Sequence, residues 1–479
     1  MSEREQLPLY NQLLRHAEKC PRSFHVPGHK YGRVFPEVGQ AYFSKLLALD
    51  ATELTGLDDL HAPTEAIQEA QQLTAELYGA SQSYFLVGGS TAGNLAMILA
   101  TCQPGDVVLV QRNSHKSIIN GLKLANVTPI FLTPSLTKDA QMGYGVTYDT
   151  VEKAIYKYPE AKALLLTNPN YFGMTVNVRE MVKLAHQNNV AVLVDEAHGA
   201  HFGIGEPFPD SALAAGADLV VHSAHKTLPA MTMASFLHYN SSLVRQEKVE
   251  ECLELLQSSS PSYPLMASLD LARYYLRGVK GQGISKLVEN LHKFKQMLVE
   301  IPQVEVLEGE ENRYVIDPLK ITLRSRCALS GFQIQALLEQ QGIYTELADP
   351  DHVLFVMPLA DEEVDTMVID TLSAHLSSYD VKSKDTCQQS MEGPAMISAL
   401  ELNYRIIETF KTKRVALADS VGKVSAENII PYPPGIPLIM KGERIESEQL
   451  KRLQILLAEG ARFQNKQVSD GLLIVDIDK

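Results

Sequence analysis

Nowhere in this sequence do about 18 apolar residues run together, the length a helix needs to cross the hydrocarbon of a bilayer. No membrane-spanning helix is expected. The chain opens Met1-Ser2-Glu3-Arg4-Glu5-Gln6, mixed charge where an export signal would carry an apolar core, which predicts a cytoplasmic protein. The five cysteines, Cys20, Cys102, Cys252, Cys327 and Cys387, are scattered and form no CxxC pair, so they point to neither zinc nor a redox couple. Positive charge is also scarce. Lys and Arg number 43 against 57 Asp and Glu, a formal net charge of -14, and no basic patch offsets it. Nucleic acid and anionic membrane surfaces are therefore excluded as expected partners.

What is present suits a soluble enzyme: 45% hydrophobic and 21% charged residues in a chain of 479, enough for more than one core. Residues 1–65 read as an irregular N-terminal arm broken by Pro27-Gly28 and Gly32. From Glu65 the apolar positions Ile67, Ala70, Leu73 and Leu77 recur at helical spacing, and Gly79 marks the stop. Short apolar runs then alternate with helical intervals: Val107 to Val110, Pro129 to Leu132, Ala163 to Leu166, Val190 to Val194 and Leu219 to Val221. Continuous apolar strands between helices predict a mostly parallel sheet covered on both faces, hence an α/β large domain. A long helical stretch carries Leu269, Leu276, Leu287, Leu291 and Leu298, and Val304 to Leu307 and Tyr314 to Leu323 read as strands of a smaller α+β unit. The expected division is arm 1–65, large domain with linking helix 66–300, small domain 301–385 and C-terminal domain 390–479.

In such sheets ligands sit beyond the carboxyl ends of the strands, and the polar residues there form three clusters and a turn. Gly88-Gly89-Ser90-Thr91-Ala92-Gly93-Asn94 follows a β-like run and opens a helix, the setting in which converging N–H groups hold a phosphate. It also fits an ordinary tight connection. Asp195-Glu196-Ala197-His198 follows the strand ending at Val194. A carboxylate there could keep a pyridine nitrogen protonated and make the ring an electron sink. The same letters mark helicase ATPases, but the phosphate loop they need is missing, since Gly422-Lys423-Val424 lacks its leading glycine and hydroxyl. A metal held by His198, His201, His222 and His225 has no familiar zinc spacing. Ser223-Ala224-His225-Lys226-Thr227 follows the next strand, 31 residues on from Asp195, one strand-helix-strand step. A lysine among histidines in a cleft has its pKa lowered and can attack an aldehyde. Asn113-Ser114-His115-Lys116-Ser117 ends the strand Val107 to Val110, and His115 could stack on a flat ring or serve as a structural histidine.

Together these segments resemble the fold-type-I pyridoxal-phosphate decarboxylases of ornithine, lysine and arginine, in their shorter Gram-positive form. Eight signatures appear in family order: Phe24 to Lys30, Thr55 to His61, the Ser90-Thr91 turn, His115, Asp195 to His198, Ser223 to Lys226, Ser258-Ser259-Ser260-Pro261 and Pro431 to Pro437. The resemblance implies an aminotransferase-like fold with pyridoxal 5'-phosphate as cofactor. It implies Lys226 as the Schiff-base lysine, Asp195 at the pyridine nitrogen and His115 stacked on the ring. Ser90, Thr91, Ser223 and His225 become phosphate ligands, and Ala92 and His198 join the cofactor-binding set. Ser258 matches a position that reaches the phosphate of a neighbouring subunit, which implies a homodimer with a shared site. His198 stands where the larger enteric enzymes have tryptophan, and their additional N-terminal wing domain has no counterpart here.

The expected reaction is decarboxylation of a basic amino acid to its amine, with His225 or Lys226 reprotonating the α-carbon. Arginine is the preferred substrate, with lysine and ornithine as alternatives. Glu53, Asp58, Asp59 and Glu443 are candidate acids for the distal group, and each also reads as a structural or solvated carboxylate. Transamination or aldol cleavage is the rival chemistry, but Thr322-Leu323-Arg324-Ser325-Arg326 is not clearly a carboxylate clamp. A cofactor-binding regulator would dispense with Lys226 or Asp195, and both are present.

Overall fold

The computed structural model describes residues 7–138, 142–382, 396–432, 437–458, 460–463, 465 and 467–477. Cys387, much of the polar stretch near 380 to 394 and the centre of the Pro431 to Pro437 signature lie outside them. In chain order the elements include α1 Pro8–Glu18, α2 Glu37–Leu49, α3 Ala66–Tyr78, β1 Gln82–Leu86, α4 Gly89–Thr101, β2 Val107–Gln111, α5 Lys116–Ala125, β3 Thr128–Leu132 and β4 Ala163–Thr167, with further helices at Tyr148–Lys157 and Arg179–Gln187. They continue with β5 Ala191–Asp195, β6 Leu219–His222, the single turn α6 Ala224–Thr227, β7 Ser235–Tyr239, α7 Gln246–Leu256, α8 Tyr263–Gln282 and α9 Ser285–Val299. The remainder includes β8 Val304–Val306, β9 Lys320–Ser325, β10 Leu347–Ala348, β11 His352–Val356 and β12 Ile397–Ala399. None of the described helices is long and apolar enough to cross a membrane.

The chain forms two compact units, Met1–Cys102 with Asn189–Glu206 and Asp210–Gly283, and Gln103–Asn188 with Pro207–Pro209 and Ile284–Lys479. The first contains β1, β7, β6 and β5 in that order. β5 and β6 are parallel, and β7 runs antiparallel to both β6 and β1, so three of these strands share one direction. The second contains β4, β2, β3 and β12, with β2 parallel to β4 and β3 and only β12 reversed. It also holds an antiparallel sheet ordered β8, β9, β11, β10. The apolar runs of the strands are buried almost without exception, as expected for strands covered on both faces.

Three sequence readings change. The stretch read as irregular contains α1 and α2. α1 starts with Pro8, whose fixed φ suits the first helical position, and buries Leu9 and Leu13 one turn apart. Among the described residues no local side chain caps it. Asp270 of α8 does so, accepting from the N–H groups of Leu9 at 3.1 Å and Tyr10 at 3.2 Å, a partner 260 residues away that no local pattern reveals. The long helical stretch is two helices, separated at Gly283, whose φ of +84° lies in the left-handed region. The strand read at Tyr314 to Leu323 is Val315–Ile316, paired with Met174–Thr175, followed by the separate β9.

The helix read from Glu65 is α3, ended as expected by left-handed Gly79. Its first turn is capped by Asp58, whose carboxylate accepts from the N–H groups of Glu65 and Ile67 at 2.9 and 2.8 Å. That commits one candidate substrate acid to the backbone.

Candidate functional site

β5 and β6 set the geometry of the site, with Asp195 opposite Val221. The ladder continues past the strands, for Glu196 N–H donates to Val221 O at 3.0 Å and Ser223 N–H to Ala197 O at 3.2 Å. Side chains alternate along a strand, so Asp195 and Ser223 fall on one face and Glu196 and His222 on the other. The first face is covered by α4. A Cβ added at Gly93 would lie 2.7 Å from Leu86 Cδ1 and 3.0 Å from Val221 Cγ2, so glycine lets α4 lie against the strands. Asn94, the next residue, donates Nδ2 to Asp195 Oδ2 at 2.9 Å, and Ala197 N–H donates to Oδ1 at 3.2 Å. Asp195 is a buried carboxylate oriented by two N–H donors.

At the start of α4 the backbone of Gly89 has φ of +73°, and no side chain caps the helix at Gly88. Ser90 Oγ lies 2.7 Å from Ser223 Oγ and donates to Ser235 Oγ at 3.2 Å. Three hydroxyls from α4, the end of β6 and the start of β7 thus meet at the positive end of a 13-residue helix. Thr91 is exposed and Ala92 buried on the same first turn. On α6, Lys226 Nζ is 2.9 Å from His198 Nε2. Its neighbour Thr227 has a buried hydroxyl without a hydrogen-bond partner among the described residues. His225 Nδ1–H donates to Ala234 O at 3.0 Å. Burial pushes the His225 pKa below the ordinary value of 6.5; the Ala234 bond opposes this shift and the Lys226 charge reinforces it, so the ring is neutral near pH 7.

This donor set suits pyridoxal phosphate at each of its ends. Hydroxyls and uncapped N–H groups match a phosphate monoester, an amine matches an aldehyde, and a buried carboxylate matches a ring nitrogen. Ser90, Asp195, His198, Ser223, His225 and Lys226, all singled out from sequence, lie in the first unit with Ser235 and Asn94. The four histidines weighed as metal ligands face different partners: His198 Lys226, His225 Ala234, and His222 the buried Glu196, while the ring of His201 packs against Phe202.

His115 belongs to the second unit, where it N-caps α5, its Nδ1 accepting from Ser117 N–H at 3.2 Å while the ring is exposed. Ser258 is exposed between α7 and α8, and its carbonyl is 2.9 Å from His61 Nε2. Glu443 forms a buried bidentate pair with Arg112 at the end of β2, and Glu53 is exposed.

Sequence reasoning missed Ser235, gave Asn94 and Glu196 no role of their own, and weighed His222 only as a metal ligand. Asn94 had a signal, because it follows Ser90 by four residues and so shares its helix face. Ser235 had none, since only the antiparallel register of β7, with Ser235 opposite Leu86, brings it there.

Comparison with known proteins gives matches over nearly the whole chain. Residues 7–365 match the family model described as Orn/Lys/Arg decarboxylase, major domain, and residues 383–466 match that of the C-terminal domain. YaaO, an uncharacterized protein of Bacillus subtilis (strain 168), is 43% identical over 98% of this chain and 99% of its own length. An arginine decarboxylase of the same organism is 33% identical over 98% of this chain and 97% of its own. Among solved structures, the Francisella novicida lysine decarboxylase LdcF superposes with a TM-score of 0.78 at 21% identity, over 98% of this chain and 80% of that one.

Proposed function

The chain belongs to the Orn/Lys/Arg decarboxylase family, pyridoxal-phosphate-dependent carboxy-lyases of the α/β, aminotransferase-like fold, and from that premise we propose that it converts arginine to agmatine. The arrangement that carries the reading is the pairing, on neighbouring strand ends, of a buried carboxylate at Asp195 with an amine at Lys226. The choice of arginine draws support from the Bacillus subtilis arginine decarboxylase, similar over nearly the full length of both chains. Lysine and ornithine are the alternatives.

In this reading Lys226 holds the cofactor covalently, and Asp195, oriented by Asn94, faces the ring nitrogen. Ser90, Thr91, Ser223, Ser235 and the N–H groups at the start of α4 hold the phosphate, with Ala92 providing a small, buried neighbour. When bound, pyridoxal phosphate supplies an electron sink for the pair left behind as carbon dioxide departs. A neutral His225 has committed its one N–H, at Nδ1, to Ala234 O, so it gives a proton only after it has gained a second one. Lys226 Nζ, beside His198, and His225 are the two groups that can protonate the substrate α-carbon. His225 gains a second proton only when an anion such as the phosphate stands next to it. His115, with its exposed ring, stacks on the cofactor, and exposed Ser258 reaches the phosphate of a second subunit in a homodimer. The domain division 1–65, 66–300, 301–385 and 390–479 is part of the same proposal, and the family-model boundary between 365 and 383 supports only the start of its C-terminal part.

The test is an absorption spectrum of the purified protein at about 420 nm, where the lysine-bound cofactor absorbs, followed by separate assays of carbon dioxide and amine release from arginine, lysine and ornithine. A yellow protein that releases agmatine, and a Lys226→Ala variant without the band, are expected. Release from lysine or ornithine alone overturns the substrate, and a protein that cannot be reconstituted to yellow overturns the site.

A further inference from the structure

We propose that Glu196 and His222 form a buried brace that sets the spacing between the strand ends carrying Asp195 and Ser223 to Lys226, which makes Glu196 a positioning residue for the reaction. The proposal rests on reading Asp195 and Lys226 as the two ends of the cofactor site.

Glu196 and His222 stand opposite each other, one step beyond the pair Asp195 and Val221 and on the face away from α4. His222 Nε2 donates to Glu196 Oε2 at 2.8 Å, and both side chains are fully buried. The other carboxylate positions are filled by the Ser211 hydroxyl and by Ala212 N–H, which donates at 3.0 Å to Oε1. On its far side His222 Nδ1 lies 3.0 Å from His238 Nε2, and His238 Nδ1 lies 2.7 Å from Ser83 Oγ. One assignment of donors satisfies the whole chain: Ser83 donates to His238, His238 to His222 and His222 to Glu196. Tyr78 at the end of α3 covers both imidazoles, with ring centroids at 5.0 and 4.5 Å, and its hydroxyl donates to Ala200 O in the segment that follows Glu196.

Fully buried polar groups at adjacent strand ends are costly where stability alone is at stake, and the neighbouring positions Leu193, Val194, Val220 and Val221 are apolar. The polar chain does what those residues cannot, because a hydrogen bond has one length and one direction. Asp195 is covalently next to Glu196, and Ser223 next to His222. Any slide of one strand end past the other breaks the 2.8 Å bond and misplaces both ends of the cofactor site.

The experiment compares wild-type holoenzyme with Glu196→Ala and Glu196→Gln, each loaded with pyridoxal phosphate. It reads the pH dependence of the cofactor band, the cofactor dissociation constant, kcat and KM. Misplacement of about 1 Å predicts a loss in kcat on the order of 10²-fold in Glu196→Ala, with a displaced band titration and a nearly unchanged KM. Glu196→Gln, which keeps one acceptor oxygen for His222, should lose about tenfold. A folded Glu196→Ala with wild-type band titration and kcat overturns the brace, as does one that loses thermal stability alone. If Glu196→Ala does not fold, Glu196→Gln decides by the same readouts. A wild type without the band would instead overturn the site reading itself, so the two failures are distinguishable.

Discussion

Beside α4, the strand ends present Asp195, Ser223 and Ser235 to a helix start with no side-chain cap, next to half-buried Lys226 and exposed Thr91. Beside α3, one residue further along β5 and one residue earlier at the end of β6, Glu196 and His222 are sealed with His238 and Ser83, each fully buried and bonded to the next. The two sets alternate along the same backbone, so the difference is one of facing rather than of location in sequence. A polar group that keeps hydrogen-bonding capacity near accessible neighbours can take a ligand. A polar group whose partners are all internal can only hold geometry. The motif Asp195-Glu196-Ala197-His198 therefore contains two roles in adjacent letters.

The comparison can be broken most sharply at Asp195. Replacing it with asparagine removes the charge but keeps a side chain of the same shape beside Asn94, and kcat should fall about 10²–10³-fold, the usual cost of one preorganised electrostatic contact. Steady-state kinetics of the holoenzyme, with the melting temperature held within a few degrees, would check it. An equal loss of stability and rate would make the α4 face as structural as the α3 face. On the stability axis the order should reverse, since stranding the buried donors around Glu196 by an alanine costs about 3–5 kcal/mol of folding free energy.

A smaller effect is expected from Ser235→Ala. If Ser235 helps hold the phosphate, cofactor affinity should weaken about 10–100-fold, the range for one hydrogen bond to a charged group. Titration of apoenzyme with pyridoxal phosphate measures it, and an unchanged dissociation constant would confine the phosphate to Ser90 and Ser223.

The smallest effect concerns pH. Burial, with the neighbouring His222 adding to it, holds the His238 pKa well below its ordinary 6.5. The folded protein keeps this ring neutral while the unfolded chain protonates it near 6.5, so the unfolded state binds more protons at acid pH. Stability should be full above about 6.5 and decline as pH falls below it. The groups facing the ring are His222 on β6, Ser83 on β1 and Tyr78 on α3, with Glu196 beyond His222. Melting temperatures at pH 7.5 and 5.5 should differ less in His238→Gln than in the wild type, and parallel shifts would remove His238 from the acid response.

Much of the site was legible because its chemistry is local. A glycine turn between strand and helix, an acid after one apolar run and a lysine after the next are patterns within a few residues; Asp195 and Ser223 lie at strand ends as read, and Ser90 and Lys226 lie in the helical turns that follow strands. The α3 helix was equally legible from its period and its terminal glycine. Helix α1 was not, since its cap comes from Asp270 on α8. Asp58 and Glu443 read either as acids for a substrate or as structural carboxylates, and the structure gives them structural partners, for one caps α3 and the other pairs with Arg112. A carboxylate reads the same in sequence whether its partner is a backbone N–H, an arginine or a ligand.

By itself, then, the sequence determined the strand-helix alternation and the residues at the ends of β5 and β6, because periodicity and adjacency are properties of the chain, while the cofactor followed from the resemblance of its motifs to the decarboxylase family. Tertiary structure decided which face each of those residues looks toward, that Asn94 serves Asp195, that Ser235 completes a hydroxyl cluster, and that Glu196 and His222 are sealed beneath Tyr78. Those decisions depend on strand register and helix docking, where residues tens to more than a hundred positions apart come within hydrogen-bonding distance, and no local propensity encodes that distance.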